Sequence, residues 1–91
     1  MYMAQVTLAA TVEATNWELN PNLVADLIWV VATPEHGLEH LHAVTQPGRI
    51  DVVVFHLAVD TAMARHASRR LCQLAISTSP QLYGWRITSP P

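Results

Sequence analysis

Polar and apolar residues alternate along the first part of the chain. Every even-numbered residue from 4 to 12 is apolar, while polar residues interrupt the odd positions: Gln5, Thr7, Thr11 and Glu13. A period of two over ten residues is typical of a strand with one buried face. The pattern therefore predicts a first strand at residues 4–13.

Two later segments have helical periodicity, and each follows a capping residue. Asn20 and Pro21 suit the N-cap and first turn of a helix that ends before Pro34, because the residue before proline avoids the α region. Its predicted apolar face comprises Leu23, Val24, Leu27, Val30 and Val31, with Ile28 at the edge. Asp60 is the predicted cap of a second helix that runs to about Ile76. The apolar face of this second helix comprises Met63, Ala64, Ala67, Leu71, Leu74 and Ala75.

Between the helices, Pro47 and Gly48 separate two stretches rich in β-branched residues. Proline presets φ and glycine accepts a positive φ, so the pair predicts the turn of a hairpin that joins strands at 38–45 and 50–59. An alternative makes residues 34–44 a short helix capped by Thr33. A last strand is predicted at 82–87, with one side formed by Tyr83, Trp85 and Ile87. Residues 88–91 form a tail.

The resulting order, β-α-β-β-α-β, resembles the ferredoxin-like fold over residues 3–88. The resemblance implies one α+β domain over residues 1–91, with a four-stranded antiparallel sheet, two helices on one face, and the first and third strands at the centre. It is a likeness of topology and implies no function. The C-x-x-C motif of metal-transfer chaperones is missing, as are the aromatic and basic motifs of RNA-recognition modules. Dimeric α+β-barrel proteins, which associate through the open sheet face, fit best.

The strand at 50–59 is apolar on both of its faces. One parity carries Val53, Phe55, Leu57 and Val59, and the other carries Ile50, Val52, Val54 and Ala58. Helices of this fold cover one sheet face only, and an apolar patch left on the other marks an interaction surface. We therefore expect a homodimer that packs sheet against sheet, with an apolar-surfaced monomer as the alternative. The candidate interface or ligand-contacting residues are Trp29, Val52, Val54, Tyr83 and Trp85.

Five histidines supply most of the chain's titratable chemistry near neutral pH. His40 and His42 share one strand face, and His56 joins them if the hairpin loop is effectively three residues long. A two-residue loop instead places His40 and His42 beside Val53 and Phe55. The three histidines are candidate catalytic acid-base residues, and more weakly transition-metal ligands. A polar strand surface without chemistry is the alternative.

Basic residues concentrate on the second helix, where Arg65, Arg69 and Arg70, together with His66, form a candidate anion-binding stripe. A solvated helix face is the alternative interpretation. Cys72 is predicted on the outer side of this helix, where neighbouring arginines would lower its pKa. Because no paired catalytic residue accompanies it, we expect an inert thiol.

Composition narrows the function classes. The chain is 51% hydrophobic and 13% charged with a net charge of −2, which excludes disorder and argues against nucleic-acid binding. The longest apolar run, residues 27–32, is too short to span a membrane, and a single cysteine without a signal-like N-terminus favours the cytoplasm. We expect a small non-catalytic homodimeric binding module without a cofactor, which holds a hydrophobic ligand or a partner peptide at its seam. The alternatives are a cofactor-independent oxygenase or cyclase of the α+β-barrel type, and a transition-metal-binding module.

Overall fold

A computed structural model describes residues 2–57 and 60–88. Its helices and strands are, in chain order, β1 (Tyr2–Ala10), α1 (Pro21–Val31), β2 (Leu38–Gln46), β3 (Arg49–His56), α2 (Thr61–Thr78) and β4 (Trp85–Ile87). The predicted order of elements is confirmed. The alternative helix at 34–44 is wrong, because a single 3-10 turn, Pro34–His36, leads directly into β2. Ala58 and Val59 of the predicted third strand, and residues 89–91 of the predicted tail, lie outside the described residues.

The four strands form one antiparallel sheet in the order β2-β3-β1-β4, so β1 and β3 are central. Pro47 and Gly48 form a two-residue turn, and Gln46 therefore pairs with Arg49. Gly48 has a φ of +75°, a conformation that glycine adopts without a steric penalty. The hairpin prediction is thus confirmed, with the shorter of the two loop lengths.

Both helices pack on the same face of the sheet and bury one apolar core. The strands contribute Val6, Leu8, Leu41, Ile50, Val52 and Val54. The helices contribute Val24, Ile28, Leu71, Cys72 and Ala75. Because the strand residues in this core all have one parity on β1 and β3, the other parity faces away from the helices.

Asn20 begins α1 as predicted. Its Oδ1 accepts hydrogen bonds from the backbone N–H groups of Asn22 and Leu23, at 2.7 and 3.4 Å. Val24 and Ile28 are buried, whereas Val30 is 81% exposed, which corrects its predicted place on the apolar face. Val30 follows Ile28 by two residues and so lies about 200° away around the helix.

Asp60 caps α2, where its Oδ1 accepts from the backbone N–H of Met63 at 2.8 Å. The buried stripe differs from the predicted one and consists of Ala64, Ser68, Leu71, Cys72 and Ala75. Met63 and Leu74 are exposed instead. The two stripes differ because the polar residue Ser68 is buried in the core, where it forms a hydrogen bond with His56.

The last strand is shorter than predicted, and its aromatic residues do not share one side. Tyr83 precedes the strand and is exposed, while Trp85 is buried. The indole Nε1 of Trp85 donates to the backbone oxygen of Asn16 at 3.0 Å, which satisfies its polar atom inside the core. Trp85 therefore belongs to the core.

Candidate functional site

The sheet face away from the helices, called the open face below, is formed by alternate residues of each strand. It comprises Met3, Gln5, Thr7 and Ala9 of β1; His40, His42, Val44 and Gln46 of β2; Arg49, Asp51, Val53 and Phe55 of β3; and Arg86 of β4. Within the described chain, no helix packs on this face. This is the surface that we expected, from the sequence, to form the homodimer interface.

The residues predicted for that interface are not on the open face. Val52, Val54 and Trp85 are buried among the helices, which corrects their predicted position. The error on β3 arises because both faces of this strand are apolar. Hydrophobicity alone therefore did not show which face the helices cover. Trp29 and Tyr83 are 43% and 57% exposed, but they belong to α1 and to the turn before β4.

One half of the open face is apolar. Phe55 lies at its centre, paired with Met3 on one side and His40 on the other. The His40 and Phe55 rings lie 5.9 Å apart between centroids and are tilted by 38°. Val53 in the next row is half-buried, and Met3 and Val44 are 59% and 49% exposed. Met3, Phe55 and Val53 therefore form an apolar strip across β1 and β3, which His40 and His42 border on β2. Val44 is diagonal to Val53, in the row of Asp51.

The other half of the open face is polar and centres on Asp51. Arg49 Nε lies 3.2 Å from Asp51 Oδ2, and Thr7 Oγ1 donates to Oδ1 at 2.8 Å. Desolvation raises the pKa of the Asp51 carboxyl, but the hydrogen bonds from Arg49, Thr7 and Gln5 and the charge of Arg49 outweigh it. The net effect is a pKa below the usual value, so Asp51 is a structural anion rather than a proton donor.

The three histidines do not converge. His40 and His42 are exposed on the open face, opposite Phe55 and Val53 in the β2–β3 register. His56 lies on the covered face and is fully buried. This is the arrangement that follows from a two-residue loop. An acid-base site made of all three side chains is therefore not assembled within the chain.

His56 instead ties three elements together. Its Nδ1 lies 2.9 Å from the backbone oxygen of His36, and because a carbonyl only accepts, Nδ1 carries the hydrogen. Its Nε2 lies 2.5 Å from Ser68 Oγ, which is also 2.8 Å from the backbone oxygen of Ala64. Ser68 resembles an activated nucleophile in its pairing with histidine. Both side chains have no exposed surface, so no substrate reaches them.

Cys72 is buried in the core, which corrects its predicted outward position. Desolvation raises the pKa of the thiol to about 12, and the nearby charge of Arg69 offsets only part of this effect. Because the thiolate is the nucleophile, a thiol with this pKa is unreactive at neutral pH. The expectation of an inert thiol agrees with this environment.

The basic stripe lies along the outer face of α2, where Arg65, Arg69 and Arg70 are exposed. Arg70 lines two adjoining clefts. One, of about 330 Å³, is lined by His36, Arg70, Gln73, Leu74 and Ser77. The other, of about 280 Å³, is lined by His66, Arg69, Arg70, Gln73 and Ile87. The structure thus places His36 beside the predicted stripe and leaves Arg65 outside both clefts.

The spacing of His66, Arg70 and Gln73 along the helix is the signal that places them together, since residues three and four apart share a face. His36 comes from a distant turn, and nothing in the sequence pattern linked it to α2. Across residues 2–57 and 60–88, no three His, Cys, Asp or Glu side chains form a group that could hold a metal ion. None of the helices described has both the length and the apolarity needed to cross a membrane.

Comparison with known proteins adds no family: no family model matches the chain, and neither does any curated protein or solved structure.

Proposed function

We propose that this chain is a small non-catalytic binding module that works as a homodimer, joined through the open faces of two ferredoxin-like sheets. The strand order β2-β3-β1-β4 supports the ferredoxin-like assignment, because β-α-β-β-α-β chains of that class have their first and third strands at the centre. A cytoplasmic location is part of the proposal. It is supported by Cys72, a buried thiol in a chain with no second cysteine.

The observation that carries the proposal is the apolar strip of the open face. Val53 and Phe55 lie in the C-terminal half of the central strand β3, and Met3 on β1 is paired with Phe55. Val44 on β2 is diagonal to Val53, in the row of Asp51. Solvent-facing sides of antiparallel sheets are usually polar, so four such neighbours favour a surface that is covered in the working state. A second sheet, packed about 10 Å away, would remove all four from water.

A second copy of the chain suits this surface in size and symmetry. Three strands of eight or nine residues and a fourth of three give the sheet a face of roughly 500 Å² in projection. This is of the same order as the ~800 Å² that each partner of a standard interface buries. A two-fold interface uses the same patch on both subunits. The apolar strip around β3 of one subunit would therefore pack against the same strip of the other.

The polar half of the face is compatible with such packing. Asp51 and Arg49 offset each other within the subunit, so the centre of the face carries little net charge. Arg86 is on β4 at the sheet edge, where a dimer leaves it near solvent. Packing two faces therefore does not require burial of an unpaired charge, which would be costly.

Analytical ultracentrifugation at micromolar concentration tests the proposal. The wild-type chain is expected to sediment at twice its 10.1 kDa mass. Val53→Thr combined with Phe55→Thr should yield a monomer, because both changes make the strip polar while placing a residue of high strand propensity at each position. Val30→Thr on α1 is the matched control and should stay dimeric, since Val30 is exposed but far from the open face.

Two results would overturn the proposal. One is a wild-type chain that sediments as a monomer; the other is a folded double variant that dimerises as tightly as the wild type. Circular dichroism establishes whether the double variant is folded. If it is not, the near-isosteric Val53→Thr change alone provides the comparison, with a weakened dimer expected.

An enzyme based on histidine acid-base chemistry is not favoured by a specific observation. His40 and His42 are exposed and lie beside Phe55 and Val53, without a nearby carboxylate that orients either ring among the described contacts. His56 is closed to solvent. We therefore interpret His40 and His42 as the polar margin of the apolar strip.

A further inference from the structure

We propose that the outer face of α2 binds the phosphoryl group of a small phosphorylated molecule, in the two clefts that share Arg70 and Gln73. One cleft reaches Ile87 of β4 on the helix-covered side of the sheet, but no residue of the open face lines either cleft, so the site is separate from the proposed dimer interface. It also differs from the stripe expected from sequence, because His36 takes part and Arg65 does not.

Unpaired positive charge is the first observation. Arg69 and Arg70 make no ion pair within residues 2–57 and 60–88, where the recorded salt bridge joins Arg49 to Asp51. No acidic side chain lines either cleft. In a chain with seven acidic and five basic residues, two adjacent guanidinium groups left without carboxylate partners are a local excess of positive charge.

Hydrogen-bond donors are the second observation. The Nδ1 atom of His36 accepts from the backbone N–H of Thr33 at 3.0 Å, so the ring hydrogen of the neutral imidazole is on Nε2. His36, Arg70 and the Gln73 amide thus bring three donor side chains to one cleft. Ser77 Oγ already donates to the backbone oxygen of Gln73 at 2.9 Å and offers no further hydrogen.

The shape of the clefts indicates the rest of the ligand. Leu74 lines one cleft and is 39% exposed, and the half-buried Ile87 lines the other. Each cleft, at about 330 and 280 Å³, holds a group larger than phosphate alone. A guanidinium fork matches phosphoryl oxygens in pairs, while the aliphatic walls suit a small apolar or planar body. The ligand class is therefore a phosphomonoester with an apolar part.

Titration with inorganic phosphate and with phenyl phosphate, followed by amide NMR shifts at pH 7 and constant ionic strength, tests the site. We expect saturable shifts at residues 66–77 and near His36 with both probes. Phenyl phosphate should bind about tenfold more tightly, because its ring contacts Leu74 or Ile87. Arg70→Gln should weaken either probe about tenfold or more, since it removes a charged donor common to both clefts.

Arg65→Gln is the matched control. It removes the same charge from the same helix outside both clefts, so it should leave the affinity within about twofold of wild type. Equal losses from Arg65→Gln and Arg70→Gln would overturn the site, because only the general charge of the helix would then matter. Shifts that do not saturate would overturn it as well. Acetate binding as tightly as phosphate would contradict the phosphoryl class.

Discussion

Replacing Ser68 by alanine should destabilise the fold, because the buried imidazole of His56 would lose its partner. The Nε2 atom of His56 lies 2.5 Å from Ser68 Oγ, and neither side chain has any exposed surface. Water therefore cannot replace the hydroxyl without entering the core. A buried polar atom left unsatisfied costs about 1–3 kcal/mol.

Helix propensity acts in the opposite direction, since alanine is favoured over serine in a helix interior by up to roughly 0.5 kcal/mol. The expected net loss in the free energy of unfolding is therefore about 0.5–2.5 kcal/mol. Urea unfolding measures it directly. With a slope near 1 kcal/mol per molar for a chain of this size, the midpoint should fall by roughly 0.5–2.5 M.

Ser77→Ala is the matched control, because Ser77 is on the same helix and its hydroxyl, like that of Ser68, lies within hydrogen-bond distance of a backbone oxygen of the preceding turn. Ser77 is exposed and contacts no histidine by hydrogen bonding. Its replacement should be neutral or slightly stabilising. Equal stability of the two variants, at one protein concentration, would refute the idea that the His56–Ser68 pair supports the core.

Two further perturbations follow from single residues. Cys72 has a pKa raised from 9.0 to about 12 by burial, so the unfolded chain releases this proton first and the free energy of unfolding should fall between pH 9 and 12. Urea unfolding of Cys72→Ala should lack that part of the pH dependence, and identical pH profiles would contradict it. Gly48→Ala should cost about 1–2 kcal/mol, because φ is +75° and the added Cβ would lie 2.7 Å from the Trp17 ring. Thermal unfolding with tryptophan fluorescence checks this loss, and an unchanged melting temperature would argue against strain at the turn.

Local signals predicted most of the fold correctly. The alternation of polar and apolar residues identified β1, because side chains of a strand point to opposite faces with a period of two. The pair Pro47-Gly48 identified the hairpin, because both residues have the φ values that a turn requires. Asn20 and Asp60 act as the caps that their side chains suggest. Each of these features depends on residues close together in the chain, which is why the sequence alone was sufficient.

The assignment of faces was harder, because it depends on long-range contacts. Both parities of β3 are apolar, so the sequence did not distinguish Val52 from Val53, and the hairpin loop length decided where the histidines lie. On α2 the buried stripe includes Ser68 and excludes Leu74, contrary to hydrophobicity. The reason is that His56, twelve residues earlier, provides a partner for the Ser68 hydroxyl inside the core.

The two proposed surfaces lie on opposite layers of the molecule, and this separation has a consequence for how they work together. The open face is one side of the sheet, whereas both clefts of Arg70 lie on the helix layer that covers the other side, one of them reaching Ile87. A sheet-to-sheet dimer would therefore leave both copies of the phosphoryl site exposed, one on each outer surface. Phosphate affinity should then be the same in the wild type and in the monomeric Val53→Thr, Phe55→Thr variant. Loss of phosphate binding on dissociation would mean that the partner subunit completes the site, and the two surfaces would no longer be independent.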